Sequence, residues 1–123
     1  MYYLRVRDYF SAAHYLRGYK GKCEALHGHN WAVEMEAGFD RLDSAGMGMD
    51  YKDMKRILKE IIEPFDHTEL NRLPIFFSQN PTTENIARFI YEEAKKRLSE
   101  YDLKRLSITV WESEDSCCRY EED

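Results

Sequence analysis

The order of periodic segments predicts an α+β fold, an antiparallel four-stranded sheet with two helices on one face. Two observations lead there. Apolar residues recur at every second position near both ends of the chain and at helical spacing in the middle. Strand-like segments also follow one another without a crossover helix between them, which favours antiparallel neighbours. A chain of 123 residues suits a single domain, taken as residues 1–123, since domains commonly run about 100–150 residues.

Tyr2 to His14 reads as the first strand, because Tyr2, Leu4 and Val6 alternate with Tyr3, Arg5 and Arg7. A loop from Arg17 to Lys22 follows. The second strand is the clearest, with Trp31, Val33, Met35, Ala37 and Phe39 on one side and Ala32, Glu34, Glu36 and Gly38 on the other. Asp43 to Gly48 is a turn. Asp50 is placed to cap a helix whose apolar residues Met54, Ile57, Leu58, Ile61 and Ile62 repeat until Pro64 stops the run. Pro81-Thr82-Thr83 opens a second helix with the face Ile86, Phe89, Ile90, Ala94 and Leu98. Leu106, Ile108 and Val110 then alternate with Ser107, Thr109 and Trp111, and Cys118 to Glu121 forms a short last strand. Glu34 and Glu36, on the face away from the helices, are either solvated or covered by another subunit.

Composition excludes several classes. At 43% hydrophobic and 14% aromatic the chain can build a core and is too apolar for intrinsic disorder. With 18 Lys+Arg against 23 Asp+Glu the formal net charge is −5, so bulk attraction for phosphate backbones is absent and nucleic acid is not the expected partner. No stretch approaches the roughly 18 apolar residues of a membrane span, and no signal peptide is visible, so the cytoplasm is the expected compartment. Three cysteines, Cys23, Cys117 and Cys118, cannot make a disulfide framework.

The chemistry-bearing residues cluster in a few places. His27 and His29 stand two apart around Gly28, which on an extended chain puts both imidazoles on one face, within reach of one ion. His14 ends the first strand on the parity of Phe10 and Ala12 and can join them if the strands pair. Three neutral imidazoles with an open fourth position are the pattern of a catalytic zinc; each histidine alone reads equally as a hydrogen-bonded surface residue. Cys23, four residues before His27, is a fourth ligand, an inert buried thiol, or a thiolate base. Asp66-His67 is either a turn cap or an acid–base dyad. Glu112 keeps the parity of Leu106, Ile108 and Val110, so it should point inward, where a carboxylate must be paired or bind something; the alternative is a frayed strand end.

Together, Phe10-Ser11-Ala12-Ala13-His14, Cys23-Glu24-Ala25-Leu26-His27-Gly28-His29, Asp66-His67-Thr68-Glu69-Leu70-Asn71, Pro81-Thr82-Thr83-Glu84-Asn85 and Trp111-Glu112 resemble the 6-pyruvoyltetrahydropterin synthase / 6-carboxytetrahydropterin synthase family, in order and over nearly the whole chain. The resemblance implies the tunnelling fold (T-fold), with trimers closing their sheets into a barrel and two trimers stacking into a hexamer. It implies Zn2+ on His14, His27 and His29, Cys23 as base, Asp66 and His67 as its relay from a neighbouring subunit, and Glu112 as the anchor of a dihydropterin. Thr82, Thr83 and Glu84 would frame the pterin; Arg17, Lys20 and Lys22 are candidates for contacts to its triphosphate that no motif fixes. The implied reaction converts 7,8-dihydroneopterin triphosphate to 6-carboxy-5,6,7,8-tetrahydropterin, acetaldehyde and triphosphate, a step toward queuosine. The alternatives are 6-pyruvoyltetrahydropterin formation, or cleavage to 6-hydroxymethyl-7,8-dihydropterin for folate synthesis. Glu24, three residues before His27, stands where the subgroup with that cleavage activity carries a glutamate. A non-catalytic zinc or pterin-binding module is the remaining alternative.

Overall fold

The computed structural model describes residues 1–18 and 25–123. Its elements are β1 (Tyr2–His14), β2 (His27–Phe39), α1 (Tyr51–Ile62), β3 (Thr68–Glu69), α2 (Thr83–Arg97), β4 (Arg105–Ser113) and β5 (Ser116–Glu121). The α+β class and the two helices stand as expected. The sheet has five strands rather than four, in the order β3-β1-β2-β4-β5, and it is mixed because β3 lies parallel to β1. A strand of only two residues carries no readable periodicity. β3 exists because β1 offers it an edge at Ala12 and Ala13.

β1 and β2 pair antiparallel along their whole length, from Tyr2 opposite Phe39 to His14 opposite His27. This register is set by the apolar alternation, since a slip of one residue would turn Trp31, Val33 and Met35 to the wrong face. Val6, Phe10, Trp31, Val33, Met35, Leu106, Ile108 and Val110 form the inward face and join the helix residues in one buried cluster. Phe10 and Trp31, directly opposite each other, stack with ring centroids 5.7 Å apart.

Each helix begins where a side chain takes up free N–H groups. Asp50 accepts from the Lys52 N–H at 2.7 Å, and Thr82 accepts from the Asn85 N–H at 3.1 Å. On α1, Met54, Ile57, Leu58, Ile61 and Ile62 are all buried, as their spacing requires. On α2 the apolar stripe is wider than expected. Ala87 and Tyr91 are buried while Phe89 is only half-buried, because Tyr91 packs edge-on against Tyr120 of β5 at 5.2 Å. No helix among the described residues is long and apolar enough to cross a membrane.

The other sheet face is ionic. Arg5 pairs with Glu36 at 2.8 Å and Arg7 with Glu34 at 3.4 Å, and the Arg7 guanidinium lies 5.6 Å from the Trp111 ring centre. Glu34 and Glu36 are thus neutralised across strands rather than simply solvated.

Candidate metal and substrate site

The long β1–β2 pairing brings His14 and His27 opposite each other at one end of the sheet, with His29 opposite Ala12. All three point to the helix-facing side, continuing the parity of Phe10 and Trp31. Trp31 walls the group from below. Its indole N–H donates to the Ala12 carbonyl at 3.1 Å, and its ring meets those of His14 and His29 edge-on at 4.9 and 5.3 Å.

Two backbone carbonyls orient the rings. His14 Nδ1 lies 2.7 Å from the Pro81 carbonyl and His27 Nδ1 lies 2.7 Å from the Ala25 carbonyl. A carbonyl only accepts, so each Nδ1 must carry the proton. In the neutral rings that leaves both Nε2 atoms as bare lone pairs, and they face each other 3.1 Å apart. Two lone pairs at that distance repel unless a cation lies between them. His14 is 2% exposed, and burial is the main reason its pKa falls below the ordinary imidazole value; burial lowers His29 as well. Both rings are therefore neutral and ready to bind metal near pH 7.

Glu112 completes the group. Its Oε1 lies 3.0 Å from His29 Nε2 and 4.0 Å from His14 Nε2, and the four donor atoms lie within 4.8 Å of one another. The inward reading of Glu112 therefore holds over the frayed end. β4 runs on through Ser113, and the pairing with β5 shifts register between Trp111 and Ser113, a local irregularity of the kind that re-aims a side chain. His29 Nε2 is nonetheless buried without a hydrogen-bond partner among the described residues. An orphaned nitrogen, two opposed lone pairs and a nearby carboxylate are the donor set a divalent cation satisfies. These residues fit a metal.

Asp66 caps the turn and also pairs with His67. Asp66 Oδ1 accepts the Ser11 N–H at 2.9 Å and the His67 N–H donates to the Ser11 carbonyl at 2.6 Å, which ties the turn to the edge of β1. Asp66 Oδ2 also lies 3.0 Å from His67 Nδ1. The Ser11 N–H and His67 hold the Asp66 carboxyl below its usual range. His67 sits at φ 57°, a left-handed backbone uncommon outside glycine, and its side chain is 83% exposed. The dyad is not part of the four-donor cluster. Beside it, Ser11, Ala13, Gly28 and Asn30 line a shallow depression on the sheet.

Thr82, Thr83 and Glu84 stand at the start of α2, next to the Pro81 carbonyl that holds His14. The Thr83 hydroxyl donates to Glu84 Oε1 at 2.8 Å. Cys23, Glu24, Lys20 and Lys22 lie outside the described residues. Arg17, the remaining candidate for the triphosphate, is exposed. One nitrogen of its guanidinium, Nη2, donates to the Phe76 and Gln79 carbonyls and so pins a loop.

Sequence reasoning missed what holds the strand beyond His14. Asn71 accepts the Tyr15 N–H and donates to the Tyr15 carbonyl, both at 3.0 Å. Asn80 does the same to Arg17, both at 2.9 Å. Each amide thus imitates a strand partner. Asn71 closes one of the quoted motifs, but nothing in its spacing announces this role. Asn71→Ala would leave two backbone groups unpaired and is expected to cost about 1–3 kcal/mol; Asn71→Asp keeps the acceptor but sets a buried carboxylate oxygen against the Tyr15 carbonyl, and should cost more. Denaturant unfolding of the two variants checks the order.

Comparison with known proteins identifies the family and the fold. The family model for 6-pyruvoyl tetrahydropterin synthase matches residues 3–123. A 6-carboxy-5,6,7,8-tetrahydropterin synthase from Haemophilus influenzae is 33% identical, covering 92% of this chain and 94% of the relative. A dihydroneopterin monophosphate aldolase from Pyrococcus furiosus is 34% identical, covering 89% and 88%. The Caenorhabditis elegans 6-pyruvoyl tetrahydropterin synthase structure superposes with a TM-score of 0.87 at 24% identity, covering 99% of this chain and 96% of that one. The fold expected from the motifs is the fold observed.

Proposed function

The chain belongs to the 6-pyruvoyl tetrahydropterin synthase family, and from that premise we propose a zinc-dependent lyase acting on 7,8-dihydroneopterin triphosphate. With one water consumed, the products are 6-carboxy-5,6,7,8-tetrahydropterin, acetaldehyde and triphosphate, a step in making the 7-deazaguanine of queuosine. The observation that carries this reading is the convergence of His14, His27 and His29 beside Glu112, because imidazole nitrogens suit zinc. When bound, zinc would act as a Lewis acid on the hydroxylated side chain of the substrate and acidify the neighbouring C–H.

The protein's own groups take the remaining roles. Glu112 accepts two parallel N–H bonds from the 2-amino-4-oxopyrimidine edge, as a carboxylate does from a guanidinium. Cys23 removes the substrate proton as its thiolate. Asp66, charged over a wide pH range, orients His67 to pass that proton on, and Thr82, Thr83 and Glu84 frame the ring. Placing the dyad in a neighbouring subunit's site is supported by its exposure and by its absence from the four-donor cluster. A homohexamer of two trimers in the cytoplasm accommodates that arrangement.

A second reading is side-chain cleavage to 6-hydroxymethyl-7,8-dihydropterin for folate synthesis, alone or as a second activity. It is favoured by the aldolase named among the relatives and by Glu24. Incubating zinc-loaded protein with dihydroneopterin triphosphate and, separately, dihydroneopterin separates the two. The carboxylated pterin from the triphosphate supports the first reading, and the hydroxymethyl product supports the second. A pyruvoyl product reassigns the chain to the biopterin type, and no turnover of either compound reduces it to a zinc or pterin-binding module.

A further inference from the structure

The family resemblance gives Glu112 to the substrate, whereas the geometry puts it among the metal donors. Its Oε1 lies 3.0 Å from a His29 nitrogen that has no hydrogen-bond partner. A carboxylate can serve both only in turn. Bidentate pairing with a pyrimidine edge needs both oxygens facing the ligand, in the plane of its two N–H groups. Oε1 cannot face that edge while it is turned into the histidines. The side chain is 35% exposed, so the carboxylate is accessible to a ligand from solvent as well as to the cluster.

We propose that Glu112 is the fourth donor to the cation held by His14, His27 and His29 in the resting protein, and that the 2-amino-4-oxopyrimidine edge claims the same carboxylate when a pterin binds. This rests on the function proposed above. With Glu112 turned to the histidines, the protein supplies four donors and the set is closed, as in structural zinc sites. With Glu112 on the pterin, three imidazoles and one open position remain, as in catalytic sites. Recognition of the ring therefore controls when the fourth position opens. An open position in the absence of substrate would admit water or stray ligands, and this arrangement avoids it.

Competition for one carboxylate has a measurable signature. Ring and cation must weaken each other by the same factor, because binding couplings are reciprocal. The probe is unsubstituted 2-amino-4-oxopteridine, which has the edge and lacks the hydroxylated side chain. Zinc affinity is measured by chelator competition, with and without saturating pteridine. The wild type should hold zinc about tenfold more weakly when the ring is bound. Glu112→Gln, which keeps a neutral and weaker oxygen donor where the carboxylate stood, should hold zinc about tenfold more weakly with no ring present, the same loss that the ring causes by drawing the carboxylate away. Direct ligation by the ring would instead raise zinc affinity, so an increase or no change in the wild type overturns the proposal, whether or not the variant folds. Unchanged zinc affinity in Glu112→Gln, with metal lost in His27→Ala, also overturns it but leaves the three-histidine reading intact. Wild-type protein that binds zinc but no pteridine overturns both.

Discussion

His27→Ala is expected to lose metal and turnover together while the fold survives. Losing a partner beyond the ligands of a metal typically costs 10–100-fold in affinity, so losing a ligand should cost more than about 100-fold. The fold should tolerate it, because His27 is only half-buried and lies at the end of the β1–β2 ladder, away from the apolar cluster. Metal analysis after dialysis, circular dichroism and a product assay on one preparation check all three. A variant that keeps full zinc occupancy would sink the assignment. The same site gives a pH expectation for the metal-free protein. Burial holds His14 and His29 below the ordinary imidazole value of 6.5, so between the folded and unfolded values the unfolded chain binds more protons. Stability then rises with pH across that window, and the metal-free protein should melt at lower temperature as pH falls through 6.5.

Cys23→Ala is expected to keep zinc and pterin binding and to lose turnover by about 10²–10⁴-fold, the usual contribution of a general base. The four-donor geometry sharpens this test. Glu112 already stands within reach of the histidines, so the metal does not need a thiolate to complete a fourth position. If Cys23→Ala nevertheless releases the metal, the site is a closed Cys-His₃ centre and the lyase reading suffers. Glu24 is tested alongside it. Where the chain has both activities, Cys23→Ala should abolish the carboxylated product yet spare some hydroxymethyl product, and Glu24→Ala should do the reverse. If Glu24→Ala alters neither product, it is a loop acid in a single-function synthase.

Much of the fold was legible because alternation and helical spacing are local. Trp31, Val33, Met35, Ala37 and Phe39 can share one face only on a strand, and Met54, Ile57, Leu58, Ile61 and Ile62 only on a helix; all ten are buried where those periods put them. The pairing of His27 with His29 was legible for the same reason. So was the inward aim of Glu112, once β4 was taken to run that far.

The rest depends on contacts between residues distant in the chain. β3 is too short to carry a pattern and pairs only because β1 lies beside it. That Arg17 Nη2 pins a loop is likewise a long-range contact, since the loop ending at Asn80 must fold back to bring the Phe76 and Gln79 carbonyls to it. Asn71 and Asn80 became strand mimics by the same return of the chain. The protonation pattern of the site is also a tertiary decision. Pro81 lies 67 residues from His14, yet its carbonyl determines which imidazole nitrogen keeps the proton and so which lone pair faces His27. Sequence alone picked out the three histidines and Glu112 that the structure brings together. Tertiary structure decided how they face one another, because a hydrogen bond or a coordinate bond depends on direction over about 3 Å, and a one-dimensional pattern carries no such direction.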